Sequence, residues 1–120
     1  MKSVDQETKD LSIKSLESTY NKLSNAYKSM SENGSNTTLV RKRKKAVKIG
    51  LDSLNGTWNG KDFFYDEETS LTSKEVLQSL IPSIEKQIAK AKEGSPQKTL
   101  NERRLIALKL AIESLENRFK

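Results

Sequence analysis

Apolar side chains in this chain recur at intervals of three and four. From Leu16 they fall at Tyr20, Leu23, Tyr27 and Met30, with Ile13 extending the row backwards. That alternation lines one face of a long helix. Ser3 and Gln6 have the spacing of a capping box, and Asn33-Gly34 offers the glycine on which helices often close. Thr38 is expected to start a second helix. Two Asn-Gly pairs, at Asn55 and Asn59, read as turns. Thr72-Ser-Lys-Glu75 predicts the start of a third helix, whose stripe is Leu77, Leu80, Ile84, Ile88 and Ala91, ending at Gly94. Pro82 cannot bond back to Gln78 and should kink or split it. Thr99-Leu-Asn-Glu102 is a complete capping box for a fourth helix. Its core face carries Leu100, Leu105, Leu108, Ile112, Leu115 and Phe119, with Ile106 and Leu110 beyond the edge.

The second and fourth helical segments echo each other. Thr38–Trp58 and Thr99–Phe119 align without a gap, sixty-one residues apart, with seven of twenty-one positions identical. Arg43/Arg104, Ala46/Ala107 and Ser53/Ser114 are among them, and the register continues upstream through Leu16/Leu77 and Leu23/Ile84. The pattern predicts an all-α protein, a four-helix bundle made of two tandemly duplicated antiparallel helical hairpins. A single helical domain would span residues 1–120, with repeat 1 over about 11–58, a linker over 59–71 and repeat 2 over about 72–119. The linker holds Phe63, Phe64 and Tyr65 beside Asp66, Glu67 and Glu68. Its rings are expected to fold over one end of the bundle.

Composition narrows the reading. Hydrophobic residues make up 33% and charged residues 32% of the 120 positions, which suits narrow apolar stripes better than a deep catalytic pocket. No stretch approaches the roughly 18 apolar residues of a membrane span, and the polar start lacks a signal-peptide core. A soluble, cytoplasmic protein is expected. With no histidine and no cysteine, Ser-His and Cys-His nucleophiles, thiolate metal sites and imidazole ligands are absent. No Gly-rich phosphate loop occurs. Neither catalysis nor a cofactor is expected.

Charge supplies the sharper expectation. The net charge of +6 equals the contribution of Arg41, Lys42, Arg43, Lys44, Lys45 and Lys48, because the rest of the chain holds sixteen basic and sixteen acidic residues. Arg41, Lys44, Lys45 and Lys48 share a helix face, with Lys42 at its margin. Long cationic arms on a rigid support suit a phosphate backbone, so DNA or RNA bound with little sequence preference is the first functional expectation. A stripe that only solvates the protein is the plain alternative. The rival function is a protein-interaction module, such as a small regulator, inhibitor or assembly subunit. It would use Ile106, Leu110 and the rings of Phe63, Phe64 and Tyr65, and would include a homodimer that covers the edge of the fourth helix. Arg43 and Arg104 project into the apolar face and are expected to form structural ion pairs with Glu32 and Glu93. A sharper possibility has Arg43 holding an anion inside the bundle.

Overall fold

Helix starts are set by side chains that accept the first free amides, and three of the four lie upstream of the expected positions. The computed structural model describes residues 3–120. Asp5 accepts a hydrogen bond from the Thr8 amide at 2.8 Å and caps α1 (Gln6–Glu32), so the cap is Asp5 and not Ser3. At the next start Asn36 Oδ1 takes the Thr38 amide at 2.9 Å, and α2 (Thr38–Asn59) has no hydroxyl cap. Asp66 takes the Thr69 amide at 2.8 Å and starts α3 (Glu67–Lys90) five residues before Thr72. The acidic cluster of the linker is thus a helix start, where carboxylates meet the positive end of the dipole. Ser95 takes the Lys98 amide at 3.2 Å with Pro96 in the first turn, and α4 (Pro96–Arg118) begins there instead of at Thr99. Serine before proline is itself a start signal, because proline at the first helical position lacks only an amide that would be orphaned anyway.

Helix ends shift too. α2 runs through Asn55-Gly56 and closes at Gly60, whose φ of 66° is left-handed. Gly56 serves a close approach and not a turn: a Cβ there would run into the Arg118 guanidinium. α3 continues past Pro82, which lies on its exposed face, and closes at Ala91.

The four helices pack as an all-α four-helix bundle in which successive helices are antiparallel neighbours and α1 also packs on α4. The centre of the bundle is a diagonal contact between α2 and α4. Buried Ala46, Gly50 and Ser53 face buried Ala107, Ala111 and Ser114, all small enough to let the two backbones close up. A Cβ on Gly50 would lie 3.1 Å from the Ala111 Cβ and 3.0 Å from Leu77 Cδ1. Ser53 Oγ stands 2.6 Å from Ser114 Oγ. Residue 50 meets 111 and residue 53 meets 114, so the diagonal helices run in the same direction. The backbones of α1 and α3, on the other diagonal, nowhere bring Cα atoms within 8 Å of each other. The bundle is flattened accordingly, to 39 × 36 × 21 Å.

Larger side chains fill the core around this seam: Leu16, Val47, Ile49, Leu54, Leu77, Leu108 and Leu115 are fully buried. Most of them belong to the C-terminal halves of α2 and α4. Towards the N-terminal ends the core thins, and Leu39 and Leu100 are about half exposed, so Leu100 does not join the expected core face. Ile106 is 47% exposed, whereas Leu110 packs partly against the core. At the other end Arg118 Nε donates to Ser53 Oγ at 2.7 Å and its Nη2 to the Ser53 carbonyl at 2.9 Å. Its guanidinium also stacks on Phe63 at 4.0 Å, tying the linker to the seam.

Enlarging the seam tests this arrangement. Gly50→Val should lower the urea-unfolding free energy by about 1–3 kcal/mol through overpacking, with the m-value unchanged. An unaltered midpoint would mean that α2 and α4 are not pressed together at this position.

Candidate nucleic-acid interface

A row of cations on α2 has to lie against something on each side, and the two sides differ. Towards α1, two turns of that helix present Tyr20 and Tyr27, both half-buried. Lys44 lies between them, its Nζ 5.6 Å from the Tyr20 ring centre and 5.2 Å from that of Tyr27. Tyr65 arrives from the linker. Its ring packs edge-on against Phe63 at 5.1 Å, and its hydroxyl donates to Asp52 Oδ2 at 2.8 Å. Asp52 Oδ1 accepts from Lys48 Nζ, also at 2.8 Å, four residues back on the same helix. One carboxylate therefore holds both a cation and a ring at the groove's edge.

The result is a groove of about 320 Å³ that gathers Tyr20, Tyr27 and Tyr65, the chain's three tyrosines. Arg41, Lys44, Lys45 and Lys48 line the same groove, and no acidic residue does. Ring faces and long cationic arms are the two ingredients of single-stranded nucleic-acid binding. The cations make phosphate contacts and the rings offer stacking surface to unpaired bases.

The side towards α3 has a different character. Lys42 and Lys45 line a larger cleft of about 500 Å³, but Glu68 and Glu75 of α3 share it. Lys45 also helps to hold the Asp66 carboxyl below its ordinary range, although the bond from Thr69 is the main cause. A run without interleaved acids in sequence thus acquires them from a neighbouring helix. On the side turned towards α1, Arg41 and Lys44 have no acidic neighbour in the groove, whereas Lys48 is paired with Asp52, Lys45 borders both clefts, and Lys42 lies on the α3 side only.

The remaining candidates are dispersed. Phe63 and Tyr65 are taken up by Arg118, by each other and by Asp52, whereas Phe64 is 88% exposed. Ile106 and Leu110 lie on α4, and Leu110 is partly packed against the core. The structure assembles no single apolar face from these five residues.

The expected arginine ion pairs do not form. Glu93 bonds Lys98 across the α3–α4 turn, drawing the lysine's pKa upward, and Glu32, exposed at the end of α1, reaches neither arginine. Both Arg43 Nε and Arg104 Nε are buried with no protein acceptor. The physical reason is position: Glu32 at the end of α1 and Glu93 in the α3–α4 turn are exposed, whereas Arg43 and Arg104 are half-buried within their helices, with Nε out of solvent. Sequence reasoning also missed the three tyrosines as a group. Tyr20 and Tyr27 read simply as members of a core stripe, and their excess over the core's needs is visible only once α2 lies alongside. Arg118 was missed as well, having no local signal beyond its place near the chain end.

No helix among the described residues is long and apolar enough to cross a membrane. No protein-family model, no curated protein and no solved structure matches the chain.

Burial and the bond to Asp52 push the Tyr65 hydroxyl from 10.0 up to about 12. The fold thus favours the protonated phenol. Its contribution to stability is complete below about pH 10 and is lost as pH rises through about 12. Chemical denaturation across that window should show a fall in stability that is shallower in Tyr65→Phe; parallel curves would remove the Asp52 bond from the account. At neutral pH the same substitution should cost about 0.5–1.5 kcal/mol.

Proposed function

We propose that the protein binds single-stranded nucleic acid along the groove between α1 and α2, with little sequence preference. The observation that carries this reading is the convergence of the chain's three tyrosines with Arg41, Lys44, Lys45 and Lys48. Lys44, already stacked over two rings, would contact a phosphate while the rings beside it receive bases. Lys48 and Tyr65, steered by Asp52, would form one edge. Single strands are favoured over duplexes because a tyrosine face can stack only on a base that is not enclosed in a helix. No Asn, Gln, Asp or Glu lines the groove, so readout of base edges is limited to cationic donors, and the backbone and the π-faces set most of the affinity.

The protein-docking alternative, with its homodimer, rests on Phe64 and on the half-exposed Ile106, which occupy different elements. We also read the chain as two duplicated hairpins. That reading is supported by the Ser53–Ser114 hydrogen bond and by Gly50 meeting Ala111, each joining positions sixty-one residues apart. A chain rearranged to place α3–α4 ahead of α1–α2 should then still unfold in one cooperative transition. A molten rearranged chain would count against the duplication.

Fluorescence anisotropy of a labelled mixed-sequence RNA or DNA strand, titrated at several salt concentrations, tests the groove. Four cations predict a log–log salt slope of about −2.8, and about −2 if Lys48 stays on Asp52. Lys44→Glu with Lys45→Glu should weaken binding by roughly tenfold or more and flatten the slope by about 1.4. Tyr27→Ala should cost about 1–3 kcal/mol of affinity with the slope retained, whereas Ile106→Glu should change neither. Absence of binding at low salt, or binding indifferent to both groove variants, would overturn the reading.

A further inference from the structure

Two half-buried arginines line a part of the bundle that the α1–α2 groove does not include. Arg43 on α2 and Arg104 on α4 line one cleft of about 180 Å³, closed on its flanks by Thr19 and Leu23 of α1 and by Ser79 and Ser83 of α3. The cleft lies where the α1 and α3 backbones stay more than 8 Å apart between Cα atoms, before the Gly50–Ala111 contact of the α2–α4 seam. No carboxylate lines it. Each guanidinium has its Nε buried without an acceptor, and burial alone draws the Arg104 pKa down. A buried donor on a charged group that lacks a partner is costly, and here two such groups face one space.

We propose that this cleft is a binding site for a phosphate-type oxyanion, held between Arg43 and Arg104. Guanidinium groups present planar, rigid forks of N–H donors that match tetrahedral oxyanions, and two of them balance the charge of −1.5 to −2 that a phosphate monoester carries near pH 7. The volume selects for size, since ligands of drug dimensions occupy roughly 300–1,000 Å³. Thr19 and Ser79 spend their hydroxyl hydrogens on the carbonyls of Ser15 and Val76, so the arginines supply the charge and most of the donors. Arg104 also borders a second groove that contains Lys14 and Arg103, a basic approach by which an anion could enter. The site is independent of the nucleic-acid reading, because it uses none of the cations in the α1–α2 groove.

The test is titration of the full chain with inorganic phosphate, with chloride and acetate as controls at equal ionic strength. Arginine Nε–H resonances are followed by NMR and the melting temperature by calorimetry. Phosphate should shift the Arg43 and Arg104 Nε–H signals saturably, leave that of Arg118 in place, and raise the melting temperature above both controls. The rise should persist in Lys44→Glu/Lys45→Glu and vanish in Arg43→Met/Arg104→Met. That double variant is expected to fold, since apolar residues of similar volume commonly replace buried charges without loss of stability. Unmoved Nε–H signals, an equal response to acetate, or a phosphate effect that survives in the Met variant would each overturn the proposal. If the Met variant failed to fold, the wild-type NMR arm would still decide.

Discussion

The close approach of α2 and α4 is the constraint on which the rest of this bundle depends. In an ordinary four-helix arrangement large side chains from all four helices keep both diagonals apart. Here Ala46, Gly50, Ser53, Ala107, Ala111 and Ser114 remove that bulk along one diagonal, and the two backbones meet. Pressing one diagonal together spreads the other, which flattens the molecule and keeps the α1 and α3 backbones apart. Polar atoms in the seam are satisfied internally. Ser53, Ser114 and Thr57 share hydrogen bonds, and Arg118 closes the end of the network. A seam of this kind tolerates little: buried serines need their partners, and a glycine facing a methyl group at van der Waals distance leaves no room for a side chain.

The same constraint distributes function along the helices. The C-terminal halves of α2 and α4 hold most of the fully buried core, and their N-terminal halves carry Arg43 and Arg104 on the inward side. Charge follows the same division. α2 carries most of the chain's net excess of cations, and its two flanks meet different neighbours. The acids at the start of α3 compensate one flank, and the tyrosines of α1 and the linker border the other. Asp52 lies between core and groove. By accepting from both Lys48 and Tyr65 it orders a surface that would otherwise consist of independent flexible arms.

Much of the architecture was legible in the chain. The spacing from Leu16 to Met30 marks α1, Asn33-Gly34 marks its end, and the segments from Thr38 and Thr99 mark most of α2 and α4. Boundaries were less legible where two signals competed. Thr72 and Thr99 each head a capping box, yet Asp66 and Ser95-Pro96 start the helices earlier, because an amide already bonded within a helix leaves a later threonine nothing to cap. Asn55-Gly56 reads as a turn by composition, but its glycine answers to Arg118, a residue sixty-two positions away.

What the sequence determined by itself was local: four helices, their number and order, and the concentration of net positive charge in the second of them. Hydrogen bonding and apolar periodicity act over a few residues, so a short window suffices to recognise them. The tertiary structure alone decided which side chains share a space. It brought Tyr20, Tyr27 and Tyr65 to the cations of α2, supplied Glu68 and Glu75 to Lys42, and left Arg43 and Arg104 together without the glutamates expected to neutralise them. The physical reason is that these juxtapositions depend on how far apart the helices pack. That spacing is set by the smallest residues in the core, whose effect is not local to any one helix.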